Sequence, residues 1–476
     1  MNATLELPAV TLPLNSSDII EVFAPFSGEP LGAIALHSPE YVKTQVEIAA
    51  GYAHVVRKIP KYKRAEILHN VAKHIYKNED GLTRLLVTET GKTWRESNKE
   101  VKRCANTFTI SSEEAKRLEG ETISFNSFSG SDDRQGYFTR EPLGVVACIT
   151  PYNDPLNLAA HKLGPAIAAG NCIVFKPSEL APYSAMRLME LIFESGFPKN
   201  ALRLVTGDAS TGKALVEHKD VRAVSFTGGL KTADAIVRSA GAKKYLMDLG
   251  GNAPVIVMDD CNLNNAVESC FSGAFWAAGQ NCIGTQRLLV QKSIYKDFIH
   301  SFVSKVQSIR HGDPMEKETD IGPMISEAVA RKAQDLVNQA IRRGAKLQIG
   351  NFRKGCFYSP TIITNVSRDD AIWKEEVFAP IAIVESFDSL EEALALANDC
   401  EVALHGGIFT NNLQSALRTA NEMQVSGVMI NDSSDYRHDG MPFGGFKKGS
   451  MGREGVKHAI LELTQPKVIC FKNSRN

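Results

Sequence analysis

The spacing of apolar positions changes twice along the chain. Residues 39–118 carry apolar side chains three and four positions apart, as in AEILHNVAKHIY, and this period predicts helices. Residues 121–141 are polar and rich in β-forming residues, which predicts a protruding hairpin. From residue 144, short apolar runs such as VVACIT and CIVFK alternate with helical stretches. Strands that alternate with helices predict a parallel sheet of the α/β class.

The alternation starts again after residue 250 with the run PVIVM, which predicts a second α/β unit. The last apolar run, QPKVICFK from Gln465, is interpreted as a lone strand. An unpaired strand edge favours aggregation, so we expect this tail to find a partner, which another chain can supply.

Composition narrows the functional class. A chain of 476 residues predicts two or three domains, and 43% hydrophobic with 23% charged residues is typical of a soluble globular protein. Lys plus Arg and Asp plus Glu both number 54, which argues against a dedicated nucleic-acid or membrane-surface protein. No apolar run reaches about eighteen residues, and the first basic residue is Lys43, so neither a membrane span nor a targeting peptide is expected. We expect a cytoplasmic protein.

The cysteines point to one candidate nucleophile. The nine cysteines form no CxxC pair, so a disulfide framework or a structural metal site is not expected, and a reducing compartment fits. Most of them lie in apolar runs and are interpreted as small buried residues. Cys282 instead follows the turn Gly279-Gln-Asn, where a thiol is better placed for exposure and for attack on a substrate.

Two glycine motifs are typical of nucleotide-binding sites, and the chain contains only the spacing of one of them. Residues 207–213 match the P-loop spacing GxxxxGK, but Ala214 stands where a hydroxyl must reach magnesium. A turn that opens a helix is therefore favoured over a nucleotide hydrolase. No GxGxxG motif occurs, so an ordinary Rossmann dinucleotide site is not indicated.

Three strand ends carry polar segments: TPYNDP, FKPSE and FTGG. The carboxyl ends of parallel strands are where α/β sheets bind ligands. Lys176 and Glu179 are spaced to hold ribose hydroxyls, and the helix that opens after Gly229 is placed to receive a pyrophosphate.

Seven segments together resemble the aldehyde dehydrogenase superfamily, whose members oxidise aldehydes with NAD(P) through a thioester. They are PYNDP, FKPSE, FTGG, DLGGNAP, GQNC, EEVFAP and PFGGFKKGSMGRE, in the family's order. The resemblance implies a Rossmann-like cofactor domain, an α/β catalytic domain and a small β oligomerisation arm that joins subunits into dimers or tetramers. The expected boundaries are 1–121 and 143–250 for the cofactor domain, 251–457 for the catalytic domain, and 122–142 and 458–476 for the arm.

The resemblance assigns roles to residues of this chain. Cys282 matches the nucleophile, Asn153 the side-chain donor of the oxyanion hole, and Asp248 the base that activates the deacylating water. The residues that match cofactor contacts, with no metal implied, are Thr150, Pro151, Lys176, Ser178, Glu179, Phe226, Thr227, Gly228, Gly229, Leu249, Glu376 and Phe378. Glu179 favours NAD over NADP because its carboxylate repels a 2′-phosphate.

Asp248 departs from the family, which usually has Glu at this position. Its side chain is shorter by one methylene, so deacylation is expected either to use a repositioned water or backbone or to be slow. Slow deacylation leaves two alternatives open: acyl transfer to coenzyme A or another acceptor, or a catalytically impaired homologue.

Arg103, His161 and Arg437 are candidates for the substrate funnel, against the ordinary alternatives of surface charges and a locally satisfied histidine. They resemble the residues around the anionic end of substrate in phosphonoacetaldehyde and non-phosphorylating glyceraldehyde-3-phosphate dehydrogenases. Asn281 stands where those groups often carry Arg, and the segment NDSSDYRHDGMPFGG also resembles archaeal lactaldehyde dehydrogenases. We expect a short aldehyde with an anionic or hydroxylated end, phosphonoacetaldehyde first, with lactaldehyde, glyceraldehyde-3-phosphate and sulfo-aldehydes as alternatives.

Overall fold

The computed structural model describes residues 18–473. Four helices precede the first large sheet, and the others alternate with strands or follow them. The helices are α1 (Pro39–Arg57), α2 (Lys61–Lys77), α3 (Glu79–Thr90), α4 (Trp94–Lys116), α5 (Pro155–Ala169), α6 (Tyr183–Glu194), α7 (Ala209–Glu217), α8 (Leu230–Ala240), α9 (Leu263–Phe275), α10 (Tyr295–Gln307), α11 (Glu327–Arg342), α12 (Ala371–Lys374), α13 (Leu390–Ala397), α14 (Leu413–Glu422) and α15 (Val456–Glu462).

The strands are short, as is usual for α/β proteins. They are β1 (Ile19–Phe23), β2 (Pro30–Ala35), β3 (Glu121–Ile123), β4 (Arg134–Pro142), β5 (Val145–Ile149), β6 (Cys172–Lys176), β7 (Leu202–Leu204), β8 (Val221–Gly228), β9 (Lys244–Leu249), β10 (Ala253–Val257), β11 (Thr285–Gln291), β12 (Lys346–Ile349), β13 (Arg353–Lys354), β14 (Phe357–Tyr358), β15 (Thr361–Thr364), β16 (Ile381–Phe387), β17 (His405–Phe409), β18 (Gly427–Ile430) and β19 (Thr464–Lys472).

The first large sheet is parallel and has the order β7-β6-β5-β8-β9. All of β6 and nearly all of β5 is buried, because helices cover the sheet and leave no polar face. Helices α1 and α5 both pack on β5 and β6. The predicted parallel α/β arrangement is confirmed, and its strand ends form one wall of the site described below.

The second large sheet has the order β12-β15-β16-β11-β10-β17-β18 and confirms the second predicted α/β unit. Only β12 runs antiparallel to its neighbour. Cys282 lies between α9 and β11, just before the first residue of β11.

The expectation that the tail strand finds a partner is confirmed, and that partner belongs to the same chain. Strand β19 pairs along its whole length with β4 of the same chain, from Thr464 opposite Pro142 to Lys472 opposite Arg134. The two strands are far apart in sequence, which is why local patterns could not reveal the pairing. The predicted 121–141 hairpin is present as β3 and β4, and its role in joining subunits stays a prediction.

The chain crosses back to the first unit before the tail. Val456, Ala459 and Ile460 of α15 belong to the hydrophobic core that contains the first sheet, and α15 packs on α5. The predicted domain boundaries stay predictions, but this return explains how residues near 454 reach the active site.

Within residues 18–473, no helix combines the length and apolar character needed to cross a bilayer. In the same range no group of three or more His, Cys, Asp or Glu side chains is placed to hold a metal ion. All nine cysteines fall in the described range and are free thiols.

Candidate active site

A cavity of ≈ 620 Å³ opens at the carboxyl ends of β5, β6 and β8. Nine of the twelve predicted cofactor residues line it: Thr150, Pro151, Lys176, Ser178, Glu179, Phe226, Thr227, Gly228 and Gly229. The Thr150 hydroxyl is buried without a hydrogen-bond partner. The Lys176 ammonium, also buried, makes only long contacts, 3.4 Å to the Pro177 carbonyl and 3.5 Å to the Glu179 carboxylate. Because buried polar groups are normally satisfied, these donors fit the hydroxyls and phosphates of a dinucleotide.

The turn at 207–213 belongs to the same cavity. Asp208, Gly212 and Lys213 line it, and the Asp208 carboxylate caps α7 by accepting from the Ser210 N–H at 2.8 Å. This turn is therefore one wall of the ≈ 620 Å³ cavity, which we call the cofactor cavity.

The other three predicted cofactor residues, Leu249, Glu376 and Phe378, lie outside this lining. The Glu376 carboxylate rests against Gly250, in the space that a Cβ would occupy, so a larger residue at position 250 would displace the Glu376 side chain. Burial, followed by the nearby charge of Asp248, raises the pKa of Glu376 to about 8. Phe378 has a φ of +53° and packs edge to face on Tyr152 at 6.0 Å. Their cofactor contacts stay predictions.

A second cavity, of ≈ 290 Å³, holds the predicted nucleophile. The predicted residues that line it are Arg103, Asn153, Asn281, Cys282 and Arg437. These side chains come from α4, from the β5–α5 turn, from the segment after α9 and from the segment before α15. The fold thus gathers in one cavity five residues that are spread over more than 330 positions of the sequence.

The Cys282 loop is fixed on three sides. Ala277 has a φ of +52°, a conformation that L-residues adopt only when held, and its N–H donates to the Glu96 carboxylate at 2.8 Å. Gly279 has a φ of +68°, and a Cβ there would collide with the Ala379 carbonyl. The Ser434 hydroxyl donates to the Ile283 carbonyl at 2.7 Å. The thiol is therefore presented by a rigid loop.

Asn153 is held by a buried ion cluster around Lys92. The Lys92 ammonium donates to the Asn153 carbonyl at 2.8 Å and to the Asp154 carboxylate at 2.6 Å, and it also binds Glu100. Although burial opposes it, the charges of Asp154 and Glu100 hold the pKa of Lys92 above its usual value. Glu100 in turn accepts from the Leu156 N–H at 2.8 Å and so caps the start of α5.

One face of α4 supplies much of this support. Glu96, Glu100 and Arg103 follow one another at spacings of four and three, which places them on one side of the helix. Glu96 holds the Cys282 loop, Glu100 caps α5, and Arg103 lines the cavity. Lys92, Glu96 and Glu100 were not predicted as site residues. The helical spacing of Glu96 and Glu100 with Arg103 is the signal that could have revealed these two carboxylates.

Asp248 is buried at the end of β9. One carboxylate oxygen accepts from the Thr227 hydroxyl at 3.4 Å, and the other has no hydrogen-bond partner. Burial, followed by the negative charge of Glu454, raises the pKa of Asp248 to about 7. Burial, and then the Asp248 charge, also raises the pKa of the Cys282 thiol well above its usual value. Cys282 therefore needs a base before it can attack, while Asp248 is poised near neutrality to activate a water.

Arg103 and His161 converge on one unpredicted carboxylate, Asp439. Arg103 donates to Asp439 at 2.8 Å, and its other amino group lies 3.5 Å from Asp154. His161 contacts Asp439 at 3.0 Å, and its side chain is fully buried. His161 does not line the cavity, contrary to the expected funnel position, because this contact holds its ring behind Arg103.

Arg437 reaches the cavity from a similar pairing. Its side chain is 5% exposed, donates to Glu454 at 3.2 Å and stacks on the Phe443 ring at 3.5 Å from the guanidinium carbon to the centroid. Glu454 also accepts from Lys162 at 2.7 Å. Burial raises the pKa of Glu454, but Lys162 and Arg437 outweigh it and hold this pKa at about 2. Glu454 is thus a fixed negative charge behind Arg437, and sequence analysis had missed it.

This arrangement suits carbonyl chemistry. In this arrangement the Cys282 sulfur would attack a carbonyl carbon, and the Asn153 amide, in the same cavity, would donate to the oxygen as it gains charge. Hydride acceptance is what a nicotinamide cofactor supplies when bound. Asp248 would then take a proton from the water that attacks the thioester, which would release the acid and restore the thiol.

Comparison with known proteins identifies the family. Residues 13–469 match the Aldehyde dehydrogenase family. The chain is 52% identical to aspartate-semialdehyde dehydrogenase 1 of Pseudomonas canavaninivorans, over 95% of this chain and 96% of that protein. It is 40% identical to 3-sulfolactaldehyde dehydrogenase of Priestia megaterium, over 95% of both chains.

A solved structure agrees. Glyceraldehyde-3-phosphate dehydrogenase of Methanocaldococcus jannaschii, complexed with NADP, superimposes with a TM-score of 0.91 at 39% identity, over 95% of this chain and 99% of that one. The predicted fold class and cofactor class are confirmed. The chain belongs to the aldehyde dehydrogenase family and is an NAD(P)-dependent aldehyde dehydrogenase.

Proposed function

We propose that the protein oxidises a short aldehyde whose far end is an amino-acid head group, with aspartate semialdehyde as the first candidate and aspartate as the product. The observation that carries this proposal is the charge arrangement of the catalytic cavity. More carboxylates than cations line its wall: Glu96, Glu100, Asp154, Asp432 and Asp435 against Lys99, Arg103 and Arg437.

The two guanidiniums are suited to a single carboxylate. Arg103 and Arg437 line the cavity, but each already contacts a buried carboxylate, Asp439 or Glu454. The Arg103 side chain is 25% exposed and keeps N–H groups beyond those bound to Asp439. The wall therefore offers directional donors to an anion while carrying little excess positive charge.

Two carboxylates in the cavity favour an ammonium group. Asp432 accepts from the Ser433 N–H at 2.8 Å, and Asp435 accepts from the Ser433 hydroxyl and, at 3.5 Å, from the Ser272 hydroxyl. These donors are neutral, so the negative charges are available to a substrate cation. A cavity with guanidiniums and carboxylates complements a zwitterion.

The relative at 52% identity supports the same substrate, since it is named an aspartate-semialdehyde dehydrogenase. Phosphonoacetaldehyde, our expectation from sequence, is the second candidate because Arg103 and Arg437 do line the cavity. It is disfavoured because a dianion would face the carboxylates behind both arginines, and Asn281 adds no charge. Water is the proposed acyl acceptor, with Asp248 as its base.

The test compares four aldehydes by NADH absorbance with excess NAD: aspartate semialdehyde, succinate semialdehyde, phosphonoacetaldehyde and propanal. Succinate semialdehyde differs from the first only by lacking the ammonium group. We expect kcat/KM to be highest for aspartate semialdehyde, with no acceleration by coenzyme A. A higher kcat/KM for phosphonoacetaldehyde, or for propanal, would overturn the proposal.

A further inference from the structure

We infer that Asp439 is a positioning residue that sets the charge preference of the substrate cavity, because it neutralises Arg103 from behind and so selects against doubly charged aldehydes. This inference rests on the proposed function, since it specifies which anionic ends the same cavity accepts. Asp439 itself does not line the cavity.

Asp439 is the junction of three elements. Its side chain is 5% exposed, and one oxygen, Oδ1, is approached by Arg103 of α4 at 2.8 Å and by His161 of α5 at 3.0 Å. The Asn157 amide of α5 donates to the same oxygen at 3.3 Å. Three donors on one buried oxygen fix the carboxylate, and they also fix the guanidinium that reaches the cavity.

The charge balance at this junction is one negative against one positive. A carboxylate only accepts, so the Nε2–H of His161 is the donor. Burial, followed by the charge of Arg437, lowers the pKa of His161, so the imidazole is neutral at neutral pH. Burial opposes ionisation of Asp439, yet its contacts with His161 and Arg103 hold its pKa well below the usual range. Asp439 therefore cancels the charge of Arg103.

A substrate meets Arg103 with that cancellation in place. A monoanionic carboxylate can still accept from the remaining N–H groups of Arg103, whose side chain is 25% exposed. A dianion gains little more from these donors and is repelled by both Asp439 and Asp154, whose carboxylate lies 3.5 Å from Arg103. Since the wall is largely buried, this repulsion is weakly screened.

The experiment uses Asp439→Asn, which keeps the shape and an acceptor oxygen but removes the charge. The readout is the ratio of kcat/KM for phosphonoacetaldehyde to kcat/KM for succinate semialdehyde, at a pH where the phosphonate carries two charges. We expect this ratio to rise about tenfold, mainly through KM, because one repulsive charge near the cavity is removed. Asp388→Asn, which neutralises a carboxylate that is 71% exposed, is the matched control and should leave the ratio unchanged.

A second variant with the opposite expectation guards against a misfolded protein. Arg103→Gln leaves the negative charge of Asp439 uncancelled, so the same ratio should fall about tenfold. An unchanged ratio in either folded variant overturns the inference. If the wild-type enzyme oxidises propanal with a higher kcat/KM than aspartate semialdehyde, the proposed function itself fails, which is a different result.

Discussion

The two cavities of this enzyme are built in contrasting ways. The cofactor cavity is lined by the ends of neighbouring strands and by the turns that follow them, and few of its side chains are charged. The catalytic cavity is lined by charged side chains from helices and loops far apart in sequence, and its key cations are already bound to carboxylates behind the wall. The cofactor cavity presents strand ends and turns with few charges, while the catalytic cavity presents charges whose effect depends on partners behind its wall.

The residues that line a cavity therefore do not by themselves define its substrate specificity. Arg103 and Arg437 suggest a strongly cationic pocket when they are considered without Asp439 and Glu454. With those partners included, the pocket offers directed hydrogen bonds at low net charge. The cofactor cavity depends less on such partners, because few charged side chains line it.

Replacing the nucleophile should separate the two cavities most sharply. Cys282→Ser should abolish NADH formation, because the hydroxyl is a far weaker nucleophile at neutral pH. NAD affinity, measured by fluorescence titration, should stay unchanged, since Cys282 does not line the cofactor cavity. Retained turnover would refute the nucleophile, and a large loss of NAD affinity would show that the cavities are coupled.

The base should affect only the later half of the reaction. Asp248→Asn should keep a burst of about one NADH per subunit and lower steady-state turnover by roughly 10²–10⁴-fold, the usual contribution of a general base. In the wild type, kcat should rise with pH through about 7, because Asp248 acts in its deprotonated form. Stopped-flow absorbance measures both, and steady-state turnover equal to the wild type would contradict the assignment.

The buried cluster at Lys92 should matter for stability as well as for rate. Lys92→Met leaves Glu100 and Asp154 without their shared cation and should lower the free energy of unfolding by about 3–5 kcal/mol. Lys99→Met, at an exposed lysine of α4, should change the free energy of unfolding by less than about 0.5 kcal/mol. Urea unfolding of the two variants gives the comparison, and similar values would show that the cluster is not structural.

Arg437 tests the charge of the catalytic cavity. Arg437→Ala should cost about 1.5–3 kcal/mol in kcat/KM for an anionic aldehyde, or roughly tenfold to a hundredfold, and much less for propanal. The fold should survive because Glu454 keeps Lys162 at 2.7 Å. Equal losses for both aldehydes would remove Arg437 from substrate recognition.

The smallest effect is expected in the cofactor cavity. Glu179→Gln removes the carboxylate that repels a 2′-phosphate and should raise kcat/KM for NADP by about fivefold to tenfold, with little change for NAD. Steady-state kinetics with both cofactors provides the measurement. An unchanged preference would mean that other residues select the cofactor.

Sequence patterns predicted the cofactor cavity better than the catalytic cavity, for a physical reason. FKPSE and FTGG follow apolar strands directly, so their place at a sheet edge follows from local sequence alone. The partners of the catalytic cations, Asp439 and Glu454, follow turns near the end of the chain, and nothing local shows that α15 returns to α5. The pairing of β19 with β4 was missed for the same reason, since contacts between distant segments leave no periodic signal.

Asp248 and Glu376 show a further limit. Their positions in DLGG and EEVFAP are evident from sequence, but their raised pKa values depend on burial and on a nearby carboxylate, Glu454 for Asp248 and Asp248 for Glu376. Such coupling appears only when the chain is folded.

Above all, we propose that the catalytic cavity favours a net-neutral amino-acid aldehyde because its arginines are neutralised from behind. The most direct test is the ratio of kcat/KM for aspartate semialdehyde to that for phosphonoacetaldehyde, measured with the wild-type enzyme and excess NAD. We predict a ratio of at least about ten, consistent with one unfavourable charge contact in a partly buried wall. A ratio below one would contradict the account and restore a cationic pocket for dianions.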